Sequence, residues 1–176
     1  MRSVVAIPPL TPPMGRGTKL SSVMSSDKQP PSGRFEGGTH FLPVRVYYED
    51  TDFTGAVYHA NFLRFMERGR SESLRAAGID HVSLAQRPEP LAFAVRSINI
   101  SFLRPARIDD ALMVQTSYEQ VAGARITAKQ QVLRGEELLA EASVEIACIS
   151  LEGKPRRLPG DIAAALRKAA GGERQA

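Results

Sequence analysis

Three carboxylates, on Glu49, Asp50 and Asp52, stand immediately before the predicted start of a helix. A carboxylate can attack an electrophilic carbonyl carbon or take a proton from a water molecule. The first backbone N–H groups of a helix have no partner inside the helix, and they lie at the positive end of its dipole. This stretch therefore combines a base or nucleophile with donors that stabilise an oxyanion.

The spacing of apolar residues predicts the elements that position these carboxylates. Upstream, Leu42, Val44 and Val46 alternate with other residues, which predicts a strand. Downstream, apolar residues recur with helical spacing, and we predict a helix over residues 60–77 that Gly78 ends. Small residues in the middle of its inward stripe, such as Gly69, would let a sheet approach the helix closely.

The sequence after this helix predicts four strands with no further long helix among them. The runs begin near residues 91, 112, 126 and 138, and short hinges join them, as expected for antiparallel neighbours. The alternation changes parity between Val95 and Ile98, which predicts a β-bulge near Arg96 and Ser97. A last short helix over residues 161–169 should cover an edge. Together these elements predict the α+β class.

The acidic stretch also carries a resemblance to a known family. Residues 47–60 read Tyr-Tyr-Glu-Asp-Thr-Asp-x-x-Gly-x-Val-Tyr-His-Ala, and Phe-x-Glu-Arg-x-Arg follows. This run resembles the hotdog-fold acyl-CoA thioesterases of the Tol–Pal-associated (YbgC-like) group, which is related to the 4-hydroxybenzoyl-CoA thioesterases. The resemblance extends over residues 44–159. It implies an antiparallel sheet wrapped around one long central helix, assembly as a homodimer or homotetramer, and hydrolysis of an acyl-CoA thioester.

The resemblance also implies which residues act on the thioester. The catalytic acid falls on Asp52, the oxyanion donor is the backbone N–H of His59, and Gly55 supplies the turn between them. The other interpretation of Asp52 is that it only orders the turn, as loop aspartates often do. Asp50 is expected to hydrogen-bond the turn. The His59 imidazole could orient Asp52, bind substrate or simply pack at the helix start.

Substrate-binding residues are predicted from their places around this centre. Tyr58, together with Phe62 and Met66, should line the acyl pocket, although a plain core role is equally consistent with Tyr58. Coenzyme A carries phosphates that need cationic side chains at the pocket mouth. Candidates for that role are Arg125, Arg156 and Arg157.

Glu67 on the predicted helix is a rival carboxylate, because some hotdog thioesterases place their catalytic acid on the central helix. The other interpretation is a solvated Glu paired with Arg64 or Arg70 at helical spacing. We assign Glu67 at most a supporting role.

The two ends of the 176-residue chain differ from its middle. Residues 1–39 hold six of the twelve prolines and show no periodicity, which predicts a disordered extension, with Met14 and Met24 as alternative starts. Five basic and two acidic residues give this extension a net charge of +3, which leaves +1 for the rest. The basic pI therefore does not indicate nucleic-acid binding. The predicted domain spans residues 40–170, followed by a frayed tail over 171–176.

Several other classes find no support in the sequence. No apolar run reaches the ~20 residues of a membrane span, and the first residues do not predict a signal peptide, so we expect a cytoplasmic protein. No metal-ligand spacing occurs, and no cofactor is expected beyond the CoA of the substrate. Cys148 is predicted to be a buried structural thiol. An alternative function is a non-catalytic adaptor that binds acyl thioesters or acyl carrier protein. Acyl carrier protein is also a predicted partner of the enzyme.

The sequence leaves three questions open. They are the length of the acyl chain, the choice between dimer and tetramer, and the choice between a mixed anhydride and direct attack by water.

Overall fold

The computed structural model describes residues 32–171 of the chain, and the predictions for residues 1–31 and 172–176 lie outside this range. Its helices are α1 (His59–Ala76), α2 (His81–Ala85) and α3 (Gly160–Ala169). Its strands are β1 (Arg34–Glu36), β2 (Thr39–Arg45), β3 (Leu91–Phe102), β4 (Ala111–Ala122), β5 (Arg125–Arg134) and β6 (Glu137–Ser150). The predicted helix, the predicted strand before it and the four strands after it are all present, with bounds within a few residues of those expected.

The strands form one six-stranded antiparallel sheet in the order β1-β2-β4-β5-β6-β3. The register of β3 against β6 shifts between Val95 and Ser97, which confirms the predicted bulge. The bulge keeps Val95 and Ile98 on the same face of the strand, because it absorbs one residue of the alternation. β3 is a terminal strand of this sheet, so one of its edges has no neighbour among the described residues.

The sheet wraps around α1, which packs against β1, β2, β4 and β5. A Cβ atom at Gly69 would lie only 2.7 Å from Val114 Cγ1, so the helix approaches β4 more closely than any larger residue would allow. Beside it, the buried Arg70 donates to Gln130 Oε1 at 2.6 Å, and Gln130 donates to Thr116 Oγ1 at 2.8 Å. The prediction that small residues admit the sheet is confirmed, and the predicted hotdog arrangement is present.

The predicted start of the domain at residue 40 is wrong. β1 lies inside the stretch expected to be disordered, and it pairs with β2, which begins at Thr39. His40 is fully buried in β2, and its Nε2 lies 2.7 Å from the Ser32 carbonyl oxygen. The three residues of β1 lie between glycines and are too few to show a periodicity in the sequence. Their regular structure therefore depends on these tertiary contacts.

The last helix covers a local edge, as predicted. β2 pairs with β4 only as far as Ser117, and α3 packs on β4, where Arg167 donates to the Val121 carbonyl oxygen at 3.3 Å. The loop between α1 and β3 contains the single turn of α2. Among residues 32–171, no helix combines the length and apolar character needed to cross a membrane.

Candidate active site

The predicted acidic segment starts with a single 3-10 turn (Tyr48–Asp50) and continues as a tight turn, called here the acid turn (residues 51–57), whose tip is exposed. Thr51 and Val57 pair as an antiparallel bridge, and Asp52 N–H donates to Ala56 O at 2.9 Å. Gly55 N–H donates to Asp52 O at 3.0 Å, and Gly55 has a φ of +75°. Because side chains disfavour that backbone region, glycine suits this position, as the sequence predicted.

The Asp52 carboxylate is exposed and held by one neighbour. Its Oδ1 accepts from the backbone N–H of Thr54 at 2.8 Å and from the Thr54 hydroxyl at 2.6 Å. The hydroxyl first, and then the backbone N–H, lower the pKa of Asp52 below its usual value, because both donors stabilise the charged form. Asp52 therefore offers an ionised carboxylate with one oxygen, Oδ1, fixed in place.

The start of α1 lies beside this turn and has no side-chain cap. The residue before the helix is Tyr58, whose side chain makes no capping hydrogen bond, and His59 is the first helical residue. A first-turn N–H has no acceptor within its own helix, which leaves the His59 N–H available to a ligand. The His59 ring packs on Tyr58, with centroids 4.3 Å apart, and lies edge-on to Phe102 at 6.1 Å. In this structure, then, the imidazole packs against aromatic rings.

A buried amide that the sequence analysis missed joins the helix start to the acidic segment. The Asp50 carbonyl oxygen accepts from Tyr58 N–H at 2.9 Å and from Asn61 Nδ2 at 2.8 Å. The Asp50 carboxylate accepts from Tyr47 N–H at 2.8 Å, so it orders the single 3-10 turn that precedes the acid turn. A polar residue on the buried side of a first helical turn is the signal that could have identified Asn61.

The loop after β3 forms a platform under the acid turn. Val57 N–H donates to Ala106 O at 2.8 Å, and Ala56 pairs with Arg107 as an isolated bridge. At the end of this loop, burial opposes ionisation of Asp110, but the Arg107 N–H and the Arg134 guanidinium prevail and lower its pKa. The sequence resemblance included this segment without assigning it a role, and the structure makes it a support for residues 56 and 57.

The residues predicted to line an acyl pocket occupy two different environments. Tyr58 is 47% exposed beside the helix start, whereas Phe62 and Met66 are buried in the core, at 3% and 0% exposure. Phe62 contacts the rings of Phe65 and Phe102. Within this chain Phe62 and Met66 thus belong to the packed interior, and their contact with an acyl group stays a prediction.

Glu67 is paired as its simpler interpretation expected. Arg70 donates to Glu67 Oε2, and the Ser71 hydroxyl donates to Oε1 at 3.1 Å. Glu67 also lies at the rim of a small cavity with apolar walls that include Phe93 and Val95. The structure places it a full two turns along α1 from His59, so it does not join the carboxylate of Asp52.

The predicted phosphate-binding arginines lie away from the acid turn. Arg125 is an exposed neighbour of Glu145 at 3.6 Å, and Arg156 N–H donates to Cys148 O at 2.9 Å. Cys148 pairs with Phe93 of β3, whereas His59 contacts Phe102 at the other end of that strand. At about 3.3 Å per residue, these ends of β3 are roughly 30 Å apart. Arg156 and Arg157 share a surface cleft with Arg87, which is paired with Asp161 at 2.9 Å.

Within residues 32–171, no group of three or more His, Cys, Asp or Glu side chains could hold a metal ion. The expectation that the protein needs no metal or cofactor stays a prediction.

Comparison with known proteins identifies the family of this chain. Residues 46–166 match the thioesterase-like superfamily, and the chain belongs to that family. The prediction of a thioester hydrolase is therefore confirmed. It is 43% identical to an acyl-CoA thioesterase, YbgC, of Haemophilus influenzae over 70% of this chain and 91% of the relative. It is 41% identical to an acyl-CoA thioester hydrolase, YbgC, of Escherichia coli, over 72% of this chain and 94% of the relative. A probable thioesterase from Bartonella henselae superposes with a TM-score of 0.67 at 50% identity, covering 69% of this chain and 99% of that one.

Proposed function

We propose that this protein hydrolyses an acyl-CoA thioester to a free acid and CoA. Asp52 acts as the nucleophile or general base, and the His59 backbone N–H donates to the oxyanion. The observation that carries this proposal is an exposed, ionised carboxylate on a turn that is tied to an uncapped helix start. The Haemophilus influenzae relative, an acyl-CoA thioesterase, supports the same substrate class for this chain.

The arrangement suggests which atoms carry out each step of the hydrolysis. Because Thr54 occupies Oδ1, we assign the reaction to Oδ2 of Asp52. That oxygen either attacks the thioester carbon directly or takes a proton from a water molecule that attacks it. The carbonyl oxygen becomes an oxyanion that accepts from the His59 N–H. The C–S bond then breaks, and the CoA thiolate leaves and is protonated to the thiol. In the direct-attack route, water subsequently cleaves the mixed anhydride and regenerates Asp52.

The test is thiol release from a panel of acyl-CoA esters of increasing chain length, together with an acyl group carried on acyl carrier protein. Asp52→Asn should abolish most of the release. Asp80→Asn is the matched control, because Asp80 is a partly exposed aspartate that also accepts from a backbone N–H, that of Ser83 at 2.8 Å. Equal rates for wild type and Asp52→Asn would remove Asp52 from the mechanism. Binding without release across the panel would favour the adaptor function instead.

We also propose that two copies pair along β3 to form a homodimer. The strand is long and terminal in the described sheet, and such an edge is normally covered in a native protein. Its apolar side chains are exposed in the single chain, at 43% for Val95 and 46% for Phe102, and Leu103 just beyond is 51% exposed. A second copy would cover this edge and these side chains together.

Antiparallel pairing of two β3 strands about their centres would complete the site. It brings the Phe93 end of one strand beside the Phe102 end of the other. Arg156 and Arg157 of the second copy would then approach the His59 of the first. Within one chain, by contrast, the two arginines and His59 lie near opposite ends of β3. This places cationic side chains where the phosphates of CoA need them.

Mixed dimers test this composite site. One copy carries Asp52→Asn and the other carries Arg156→Ala with Arg157→Ala. If each site uses Asp52 from one copy and the arginines from the other, one of the two sites in every mixed dimer is intact. Thiol release at low substrate should then recover to about half the wild-type rate per dimer. No recovery above the two parent variants would show that each site lies within one chain.

A further inference from the structure

The segment that carries the candidate catalytic acid is fixed to the helix that carries the oxyanion donor at a single carbonyl group. Asp50 O accepts two hydrogen bonds, from the backbone N–H of Tyr58 and from the side-chain amide of Asn61. Tyr58 directly precedes His59, and Asp50 lies two residues before Asp52. The two bonds therefore join residues that lie within two positions of the two groups that the reaction needs in register.

Asn61 is built into this position. It is only 4% exposed, and its own N–H donates to Tyr58 O at 2.8 Å, so its backbone and side chain are both fixed. The opposite side of the joint is equally fixed, because the Asp50 carboxylate accepts from Tyr47 N–H and Asp50 is 4% exposed. A buried amide held at both ends has little freedom to turn, so the Asn61–Asp50 contact behaves as a rigid strut.

We propose that Asn61 is a positioning residue for thioester hydrolysis, and that it sets the separation between the Asp52 carboxylate and the His59 N–H. It touches neither the substrate nor the reacting atoms and acts through the Asp50 carbonyl. The inference rests on the proposed function, because it concerns the same two groups.

A misplacement of about 1 Å at a reacting centre can lower a rate ~100-fold. Asn61→Leu keeps the side-chain size and removes the donor, so kcat should fall by ~10- to 100-fold while KM changes little. Asn61 does not contact Asp52, and the acid limb of the pH–rate profile should therefore stay where it is in the wild type. Asn61→Ser provides a smaller side chain that cannot reach Asp50 O and should give a fall of the same kind.

Ser73→Ala is the matched control, because Ser73 is a buried polar residue of the same helix, and its hydroxyl lies 2.6 Å from the Tyr118 hydroxyl. It has no link to the acid turn, so kcat should stay near the wild-type value even if the protein becomes less stable. A folded Asn61→Leu or Asn61→Ser protein with kcat within twofold of wild type would overturn the proposal. So would a loss that appears in KM alone.

Hydrogen exchange of the Tyr58 amide tests the strut without any activity. That N–H shares the Asp50 carbonyl with Asn61, so its exchange should speed up in both Asn61 variants and stay unchanged in Ser73→Ala. Unchanged exchange in a folded Asn61 variant would contradict the strut. If the wild type releases no thiol, the proposed function fails, and the exchange rates still decide whether the strut exists.

Discussion

The first turn and the middle of helix α1 lie in two different environments. Its first turn lies beside the acid turn, where Asp52 and Thr54 are exposed and few contacts hold the carboxylate. Its middle faces the sheet, where Gly69 nearly touches β4 and the buried Arg70 bonds to Gln130. The first turn is accessible to a ligand, whereas the middle of the helix is packed against the sheet and leaves no room for one.

This difference predicts whether a substitution lowers activity or stability. The carboxylate of the acid turn contributes little packing, so its chemistry can be removed at little cost to stability. The middle of α1 contributes packing and buried hydrogen bonds, so damage there lowers stability and reaches activity only through unfolding. Asn61 shares a feature of each region, because it lies in the first turn of α1 and is buried.

The largest expected effect is on activity at the acid turn. Asp52→Asn should lower kcat by ~10²- to 10⁴-fold, the usual contribution of a positioned acid or base. The free energy of unfolding should stay within about 0.5 kcal/mol of wild type, because the residue is exposed and far from the core. Steady-state kinetics and urea unfolding of the same preparation measure both. A large loss of stability would mean that the acid turn is structural.

The next effect is on stability at the middle of α1. Arg70→Met leaves the buried Gln130 Oε1 without its donor, which should cost about 1–3 kcal/mol of unfolding free energy. Arg75→Met is the control, because Arg75 also pairs with a Glu three residues before it but is more exposed. That pair should be worth only ~0.2–0.5 kcal/mol. Equal losses in the two variants would contradict the buried network.

A smaller effect is expected on the pH dependence of kcat/KM. Thr54 donates twice to Asp52 and lowers its pKa, so Thr54→Val removes one donor and raises that pKa toward its ordinary value. The carboxylate is then protonated at higher pH, and the acid limb of the profile moves to higher pH. Ser83→Ala removes a similar donor from Asp80 and should leave the limb in place. A limb that does not move would separate the observed ionisation from Asp52.

The smallest expected signal is the labelling of Cys148. This thiol is 1% exposed, and burial raises its pKa, so little thiolate is available to react. Native protein should react with iodoacetamide only as fast as the core opens. Arg70→Met should speed the labelling, and Asp52→Asn should not. Rapid labelling of the wild type would show that the core is more open than the structure indicates.

Periodicity explains why most of the fold could be predicted. The strand before the acid turn, the helix after it and the bulge of β3 each follow from the local spacing of apolar residues. β1 could not be predicted, because three residues between glycines carry no period. Its order depends on contacts such as that of His40 with the Ser32 carbonyl oxygen.

The site divides in the same way. The family resemblance predicted roles for Asp52, Gly55 and the helix start, because all three lie in one short, ordered motif. The contact of Asn61 was missed, because its partner is a backbone carbonyl, and the only signal was a polar residue on the buried side of the first helical turn. Burial of Phe62 and Met66 likewise depends on which helix face meets the sheet, and that is decided by packing with the whole domain.

The most direct test of the catalytic arrangement is a crystal structure of Asp52→Asn with an unhydrolysed acyl-CoA ester. We predict the thioester carbonyl oxygen within ~2.7–3.1 Å of the His59 backbone nitrogen, the range of an oxyanion-type donor. We also predict the carbonyl carbon facing the side chain at residue 52. A thioester bound against Glu67, with the His59 N–H directed at solvent, would contradict the account.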